Sequence, residues 1–311
     1  MPSRRLLAII FLFWLSMVGW QLMRQYGQVY GAAPRIMDAL EETAKDCEAV
    51  KDGKIHWTIL LDRRRLGGST SQVTRNKNLM FNLKQEVLLD GDLTDLLNLK
   101  RNLALLNRAF DLNLTPDLSL EMKSDTDVDY FGSLRQTNMS ASVFLGKGRE
   151  KRQLFNFYVT ARAREGYLHL NGKLRFGQQE QAAYSLPADY KLRYDPKNLL
   201  LNSITPADVI PNLRLGQSWE APMLDLQALL NPGNFTNIGK ELTPPERKPT
   251  LVRVLNELRP LTWAGQEVPC FIAETRRPGL KVTVWVRQED GRVLKQTAEW
   301  GDRVIEIVRQ P

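Results

Sequence analysis

Between Lys281 and Arg309 the chain alternates apolar and polar positions with a period of two. Val282, Val284 and Val286 interleave with Thr283, Trp285 and Arg287, and Arg292 to Thr297 alternates again, which predicts strands with two distinct faces. Gln288-Glu289-Asp290-Gly291 supplies the reversal between them. A two-residue Asp290-Gly291 loop would set Val286 opposite Lys295. A three-residue loop, with Gly291 left-handed in a bulge, sets Val286 opposite Leu294 and Val282 opposite Ala298. Opposed residues share a face, so the bulged register is expected. Gly301-Asp302 then turns the chain into Val304 to Val308, completing an antiparallel meander.

The same period recurs upstream. Lys54 to Asp62 reads as a strand with Ile55, Trp57, Ile59 and Leu61 on one face. Arg63 to Gly68 is expected to turn it into Ser69 to Arg75, and Asn76-Lys77-Asn78 to turn again into Leu79 to Leu89. Phe81, Leu83, Val87 and Leu89 share a face there. Leu118, Leu120 and Met122 alternate with polar residues, and Asp125, Asp127 and Asp129 follow on the opposite parity. Tyr130-Phe131-Gly132 leads into Leu134 to Leu145, and a basic turn at 146–152 into Leu154 to Arg164. Glu165-Gly166 and Asn171-Gly172 read as hairpin signals, with Gln178 to Leu186 beyond them. Thr250 to Leu258 and Val268 to Thr275 complete the set, the latter joined to the meander by a type II turn at Pro278-Gly279.

Two stretches carry a helical period instead. Ile36, Leu40, Ala44 and Cys47 form one stripe across Arg35 to Val50. Leu96, Leu99, Leu103, Leu106 and Phe110 form another, a helix expected to lie across the sheet. Strands at this spacing without a βαβ rhythm argue for an antiparallel sheet. Residues 187–249 interrupt it with nine of the chain's 16 prolines. Leu199, Leu200, Leu201 and Trp219 in that stretch need burial, so it reads as a long connection crossing the sheet rather than a linker between domains.

At the amino end Arg4 and Arg5 precede Leu6 to Met23, in which only Ser16 and Gln21 are polar. Eighteen helical residues span roughly 27 Å, enough for a bilayer core. Leu6, Ile10, Trp14, Val18 and Leu22 are taken along this span, and Trp20, Tyr26 and Tyr30 suit the far interface. A cleaved signal peptide with Gly31-Ala32-Ala33 as its site competes with this reading, but Pro34 would then follow the cut directly. The expected organisation is a cytoplasmic tail at 1–5, a transmembrane anchor at 6–23, a juxtamembrane helix at 24–53 and a single antiparallel β domain at 54–311. That places the protein in the inner membrane as a single-pass chain with its body periplasmic.

The net charge is +8, with a sequence pI of about 9.5. The basic residues are scattered, with short clusters at Arg63 to Arg65, Lys147 to Arg152 and Arg276-Arg277, and no stripe or aromatic platform accompanies them. This argues against nucleic acid as a partner. His56 and His169 are the only histidines and each sits in an alternating segment. No nucleophile elbow, Walker loop, dinucleotide fingerprint or His-Glu-x-x-His motif occurs. Asp125-x-Asp127-x-Asp129 opens like a calcium loop, but Tyr130 and Gln136 stand where glycine and glutamate are needed, so it reads as an acidic strand face. No catalytic, cofactor-binding or metal-ligating residue is assigned. Whether Cys47 and Cys270 are bonded is left open.

Pro211-Asn-Leu-Arg-Leu-Gly-Gln-Ser-Trp219 and Trp285-Val-Arg-Gln-Glu-Asp-Gly-Arg-Val-Leu-Lys-Gln296 resemble motifs of a bacterial envelope family with an amino-terminal membrane segment and a β-rich body. The resemblance is clearest from Pro211 onward. It implies a mainly β fold similar to the lipoprotein carriers, a curved antiparallel half-barrel covered by one or two helices over an apolar cavity. The matching residues are turn and core positions, Gly216, Trp219, Trp285, Asp290 and Gly291, and they support fold rather than activity. The expected function is non-enzymatic binding of a lipid or a lipoprotein acyl chain at an apolar concave face. An envelope interaction module without a cavity, binding other envelope proteins, is the alternative, and an enzyme of unidentified class comes third.

Overall fold

The computed structural model describes residues 33–76, 80–92, 117–146, 151–177, 184–185, 191–193, 208–221, 250–277 and 279–311. The anchor residues Leu6, Ile10, Trp14, Val18 and Leu22, the leucine stripe at 96–110 and Leu199 to Leu201 lie outside them. Among the described residues no helix is long and apolar enough to cross a membrane.

The described chain is one helix, α1 (Ile36–Ala49), and one large open antiparallel sheet. Its strands are β1 (Ile55–Leu61), β2 (Arg64–Arg75), β3 (Phe81–Asp92), β4 (Asp117–Val128), β5 (Leu134–Leu145), β6 (Arg152–Arg164), β7 (Tyr167–Phe176), β8 (Tyr184–Ser185), β9 (Lys191–Arg193), β10 (Ser218–Ala221), β11 (Thr250–Val254), β12 (Arg259–Trp263), β13 (Gln266–Arg277), β14 (Leu280–Arg287), β15 (Val293–Trp300) and β16 (Arg303–Arg309). The spatial order is β10-β11-β13-β14-β15-β16-β1-β2-β3-β4-β5-β6-β7-β8, with β12 beside β13 and β9 beside β7. The first and last strands are therefore neighbours in mid-sheet, with Trp57 opposite Arg309 and Ile59 opposite Ile307. The predicted connection at 187–249 is not free of sheet, since it contributes β9 and β10.

The apolar stripe of α1 folds as expected. Leu40 and Ala44 are buried with Ile36 and Met37 against Val73, Phe81 and Val128, so the helix crosses β2, β3 and β4 near one end of the sheet. Cys47, one turn on, joins the main core with Ile55, Trp57, Ile59, Val87, Leu89, Val286 and Ile307. That core occupies one face of the sheet. A second cluster of Cys270, Ile272 and Leu294, flanked by Trp263 and Trp285, lies on the opposite face of β13–β15. The two cysteines are free and belong to different clusters, which answers the open question of a bond between them.

Several expected turns fall elsewhere, and each shift has a local cause. The reversal after β1 uses only Asp62 and Arg63, both left-handed at φ 48 and 67. Asp62 is held there by Val304 N–H and Arg303, each bonded to its carboxylate. Gly67 and Gly68 lie within β2 instead of in the turn. A Cβ on Gly67 would sit 2.0 Å from the Leu88 carbonyl oxygen, so glycine there permits close approach of two strands. Asn171-Gly172 is likewise no hairpin: both residues pair with β6 in the middle of β7. The hairpin β12–β13, reversed by left-handed Ala264 and Gly265, carries no signal that the alternation alone picks out.

At the carboxyl meander Val282 faces Ala298 as expected, and Gly291 is left-handed at φ 73. The tip register differs. Arg287 and Arg292 close a four-residue loop, and a bulge after Trp285 sets Val286 opposite Val293 instead of Leu294. The bulge turns Val293 into the main core and Leu294 into the opposite cluster, so both side chains are fully buried.

Candidate functional site

The register of β3 to β7 sorts their residues into continuous rows. On one face run Val87, Met122, Ala141, Phe157 and Leu174, and beside them Leu89, Leu120, Val143, Phe155 and Phe176. On the reverse face run Glu86, Lys123, Ser140, Tyr158 and Lys173, beside Leu88, Glu121, Ser142, Asn156 and Arg175. Alternation along each strand becomes a two-sided sheet because every pairing keeps parity. Five strands at about 4.8 Å make each row roughly 19 Å wide. Val87, Leu89 and Val143 are buried in the main core and Leu120, Met122 and Phe155 pack against it while partly exposed, as Ala141, Phe157, Leu174 and Phe176 also are. The apolar face thus extends outward from the core over strands that cover it incompletely.

In mid-sheet, a polar cluster ties β16, β1 and β2 to α1 and to the segment 208–213. Asp208 accepts hydrogen bonds from Trp57 Nε1 at 3.1 Å and Ser71 Oγ at 2.6 Å. Its backbone oxygen accepts from Arg309 Nη1 at 3.3 Å and from Val293 N at 2.9 Å. Arg309 also pairs with Asp46 of α1, and Arg292 reaches the other oxygen of Asp46 at 2.6 Å. Burial pushes the Asp208 carboxyl up to about 6, against the pull of the Ser71 and Trp57 hydrogen bonds and the Arg309 charge. Each partner comes from a different element, and Asp46, Asp208 and Arg309 are all buried. The arrangement is a buried latch that joins α1, the 208–213 segment and strands β1, β2 and β16.

A cleft of about 530 Å³ opens between α1 and the 288–291 loop, with Ile210 to Leu213 and Phe271 also lining it. Asp38, Glu41 and Glu42 face it from the helix, Arg287 from the end of β14, and Glu289 and Asp290 from the loop. Asp290 is held by Arg287 and by Arg292, whose backbone N–H reaches its Oδ1 at 3.1 Å. Burial raises its carboxyl, but the Arg287 hydrogen bond and the Arg292 N–H outweigh that and leave it below the usual range.

The structure brings some of the sequence-derived turn and core residues together and separates others. Asp290 and Gly291 dock on the crossing segment: Gly291 accepts from Ile210 N at 2.8 Å, and a Cβ on Gly291 would lie 2.8 Å from Ile210 O. Gly216 is left-handed at φ 73 beside Asn256, and Trp219 on β10 packs against the main core. Trp285 lies on the opposite face under Lys295, 5.5 Å from its ring, and shares no cluster with Trp219. His56 pairs with Asp52 at 2.6 Å on the surface, and His169 sits in β7 opposite Arg162. Asp125 and Asp127 both accept from Asn82 Nδ2, at 2.6 and 2.9 Å, and Asp129 caps the turn by accepting from Phe131 N and Ser133 N. Asp125 and Asp127 thus lie on the strand as expected from the failed calcium pattern, whereas Asp129 falls beyond β4 in the turn. Among the described residues no group of His, Cys, Asp and Glu is arranged to hold a metal ion. Asp46, Asp208 and Arg309 were not singled out in the sequence, where no local pattern connects them.

No family model matches the chain. No curated protein matches it either. Among solved structures it is similar to a β-barrel-like protein of the domain of unknown function DUF1849 from Brucella abortus, at 9% identity and a TM-score of 0.42, covering 82% of this chain and 94% of that one.

Proposed function

We propose that this is a non-enzymatic, membrane-anchored extracytoplasmic protein that holds an acyl chain of a lipid or lipoprotein against the apolar rows of β3–β7, on a sheet curved as a half-barrel. One observation carries the reading: two adjacent apolar rows run five strands wide, backed by polar and charged rows, buried on β3 and, Val143 apart, partly exposed from β4 to β7. Apolar side chains left partly open beside a closed core favour a ligand that is itself apolar and extended. The resemblance to envelope proteins with a carrier-like body supports the same reading, as does the apolar run at 6–23.

The test is photolabelling of the full chain in vesicles with a fatty acid bearing a diazirine, followed by mapping of adducts. Saturable adducts on the apolar parity of β4–β7, at residues such as Met122, Phe157 and Leu174, are expected. Labelling that does not saturate, or that spreads evenly over both faces, overturns the reading. The polar walls of the cleft beside α1 favour the second reading, an envelope interaction module, in which the cleft and not the apolar rows meets the partner.

A further inference from the structure

The sheet has one end at which exposed aromatic and basic residues are gathered. Strand β4 descends to the turn at Tyr130-Phe131-Gly132, and β6 descends to the turn at Glu165-Gly166, so the two hairpin tips lie side by side. Phe131 is 83% exposed, Tyr130 50% and Tyr167 46%. Tyr130 and Phe131 pack edge to face, at 5.8 Å between ring centroids, and together form a protruding aromatic tip. Burying Phe131 would recover its apolar area, yet no described residue covers it.

Around the tips stand exposed Arg135, Arg162 and Arg164, with Arg75 at the same end of β2. Among the described residues four acids share this end: Asp127, in the cross-strand row of Arg162 and bonded by Asn82, Asp38 in the first turn of α1, Asp129 and Glu165. Asp129 is already engaged by Arg135 at 2.9 Å, and Glu165 lies in the neighbouring turn. The start of α1 is also here: a Cβ on Gly132 would lie 3.5 Å from Ile36. Residues 24–35 separate that point from the apolar run ending at Met23, and twelve residues reach at most about 42 Å. Aromatic side chains with arginines beside them suit the headgroup level of a bilayer, where rings enter the interface and guanidinium groups meet phosphates.

We propose that this end of the sheet rests on an anionic lipid bilayer, with Tyr130 and Phe131 in the interface and the arginines among the headgroups. The contact is separate from the acyl-chain face and draws on the anchor only for orientation. It aims the tips of β4–β7 at the lipid surface from which an acyl chain would be taken.

Nitroxide labels at Phe131→Cys, Tyr167→Cys and, at the opposite end, Arg64→Cys would be placed on the full chain and read in phosphatidylglycerol vesicles. The native Cys47 and Cys270 are buried and compete little for label. Labels at 131 and 167 should be accessible to oxygen and shielded from a water-soluble nickel relaxant, with the reverse at 64, and the shielding should weaken in phosphatidylcholine. A chain that sediments with vesicles but is as wet at 131 and 167 as at 64 keeps the anchor and overturns the contact. A chain that stays off vesicles overturns both.

Discussion

At Asp208 a carboxyl is buried among a tryptophan, a serine and an arginine, and its proton is bound more tightly in the folded chain than in the unfolded one. Its folded value of about 6 stands above the ordinary 3.8. The sign follows: this group's contribution to stability is full below about pH 4 and is lost as pH rises through 6, on the order of 3 kcal/mol over that window. Asp62 opposes it, because the Val304 N–H and Arg303 hold its carboxyl below the usual range. The difference between wild type and Asp208→Asn isolates the effect. Denaturation at pH 4 and pH 7 should show wild type losing stability relative to the variant on going to the higher pH, and a parallel pair of curves would refute it.

Glycine positions give a second test at this scale. Gly265 and Gly291 are both left-handed, at φ 79 and 73, but a Cβ meets nothing within 4 Å at Gly265 and the Ile210 carbonyl at 2.8 Å at Gly291. Gly265→Ala should cost about 1 kcal/mol from backbone strain, and Gly291→Ala clearly more because the loop and the 208–213 segment must part. Equal losses of melting temperature would mean that the Gly291–Ile210 contact is not maintained. The left-handed Gly291 was legible from Glu289-Asp290-Gly291 between alternating runs. Its docking on Ile210 was not, since that partner lies far off in sequence.

Among the elements, α1 is held on its buried face by an apolar stripe and, flanking it, by Asp46. Asp46→Ala would leave buried Arg309 without its carboxylate and should destabilise by about 3–5 kcal/mol. Pairing Asp46→Leu with Arg309→Met removes both charges and should recover most of that loss in urea titrations. If the pair is as unstable as the single variant, the loss does not come from a stranded Arg309 charge. The helix itself was legible as Ile36, Leu40, Ala44 and Cys47, and the long strands as alternation. What misled was glycine: Gly67-Gly68 and Gly172 look like turn residues, and only the neighbouring strand shows that they serve close packing or sheet pairing. The short strand β12 was hidden because its Pro260 and exposed residues interrupt any clean period.

For the whole molecule the organising fact is parity kept across β3 to β7. Alternation within each strand is visible in the sequence, and it predicts one apolar and one polar face per strand. Which apolar residues align across strands, and which remain uncovered, depends on register and on the bulges after Asp127 and Val143. The pairing of β1 with β16 is similarly long-range, and no local signal marks it. The latch residues belong to this class, joining positions 46, 71, 208 and 309 only after the sheet has formed.

The apolar rows are tested most directly by adjacent residues on the two faces. Phe157 lies in an apolar row and Tyr158 in the charged row behind it. A fluorescent fatty acid titrated against the full chain should bind saturably in the micromolar range, about −8 kcal/mol. Phe157→Glu places a charge where the acyl chain would lie and should weaken binding by tenfold or more, while Tyr158→Glu should leave it within about twofold, with both variants melting close to wild type. Equal binding by the two variants, or no saturable binding by the wild-type chain, would contradict an acyl-chain site on β3–β7.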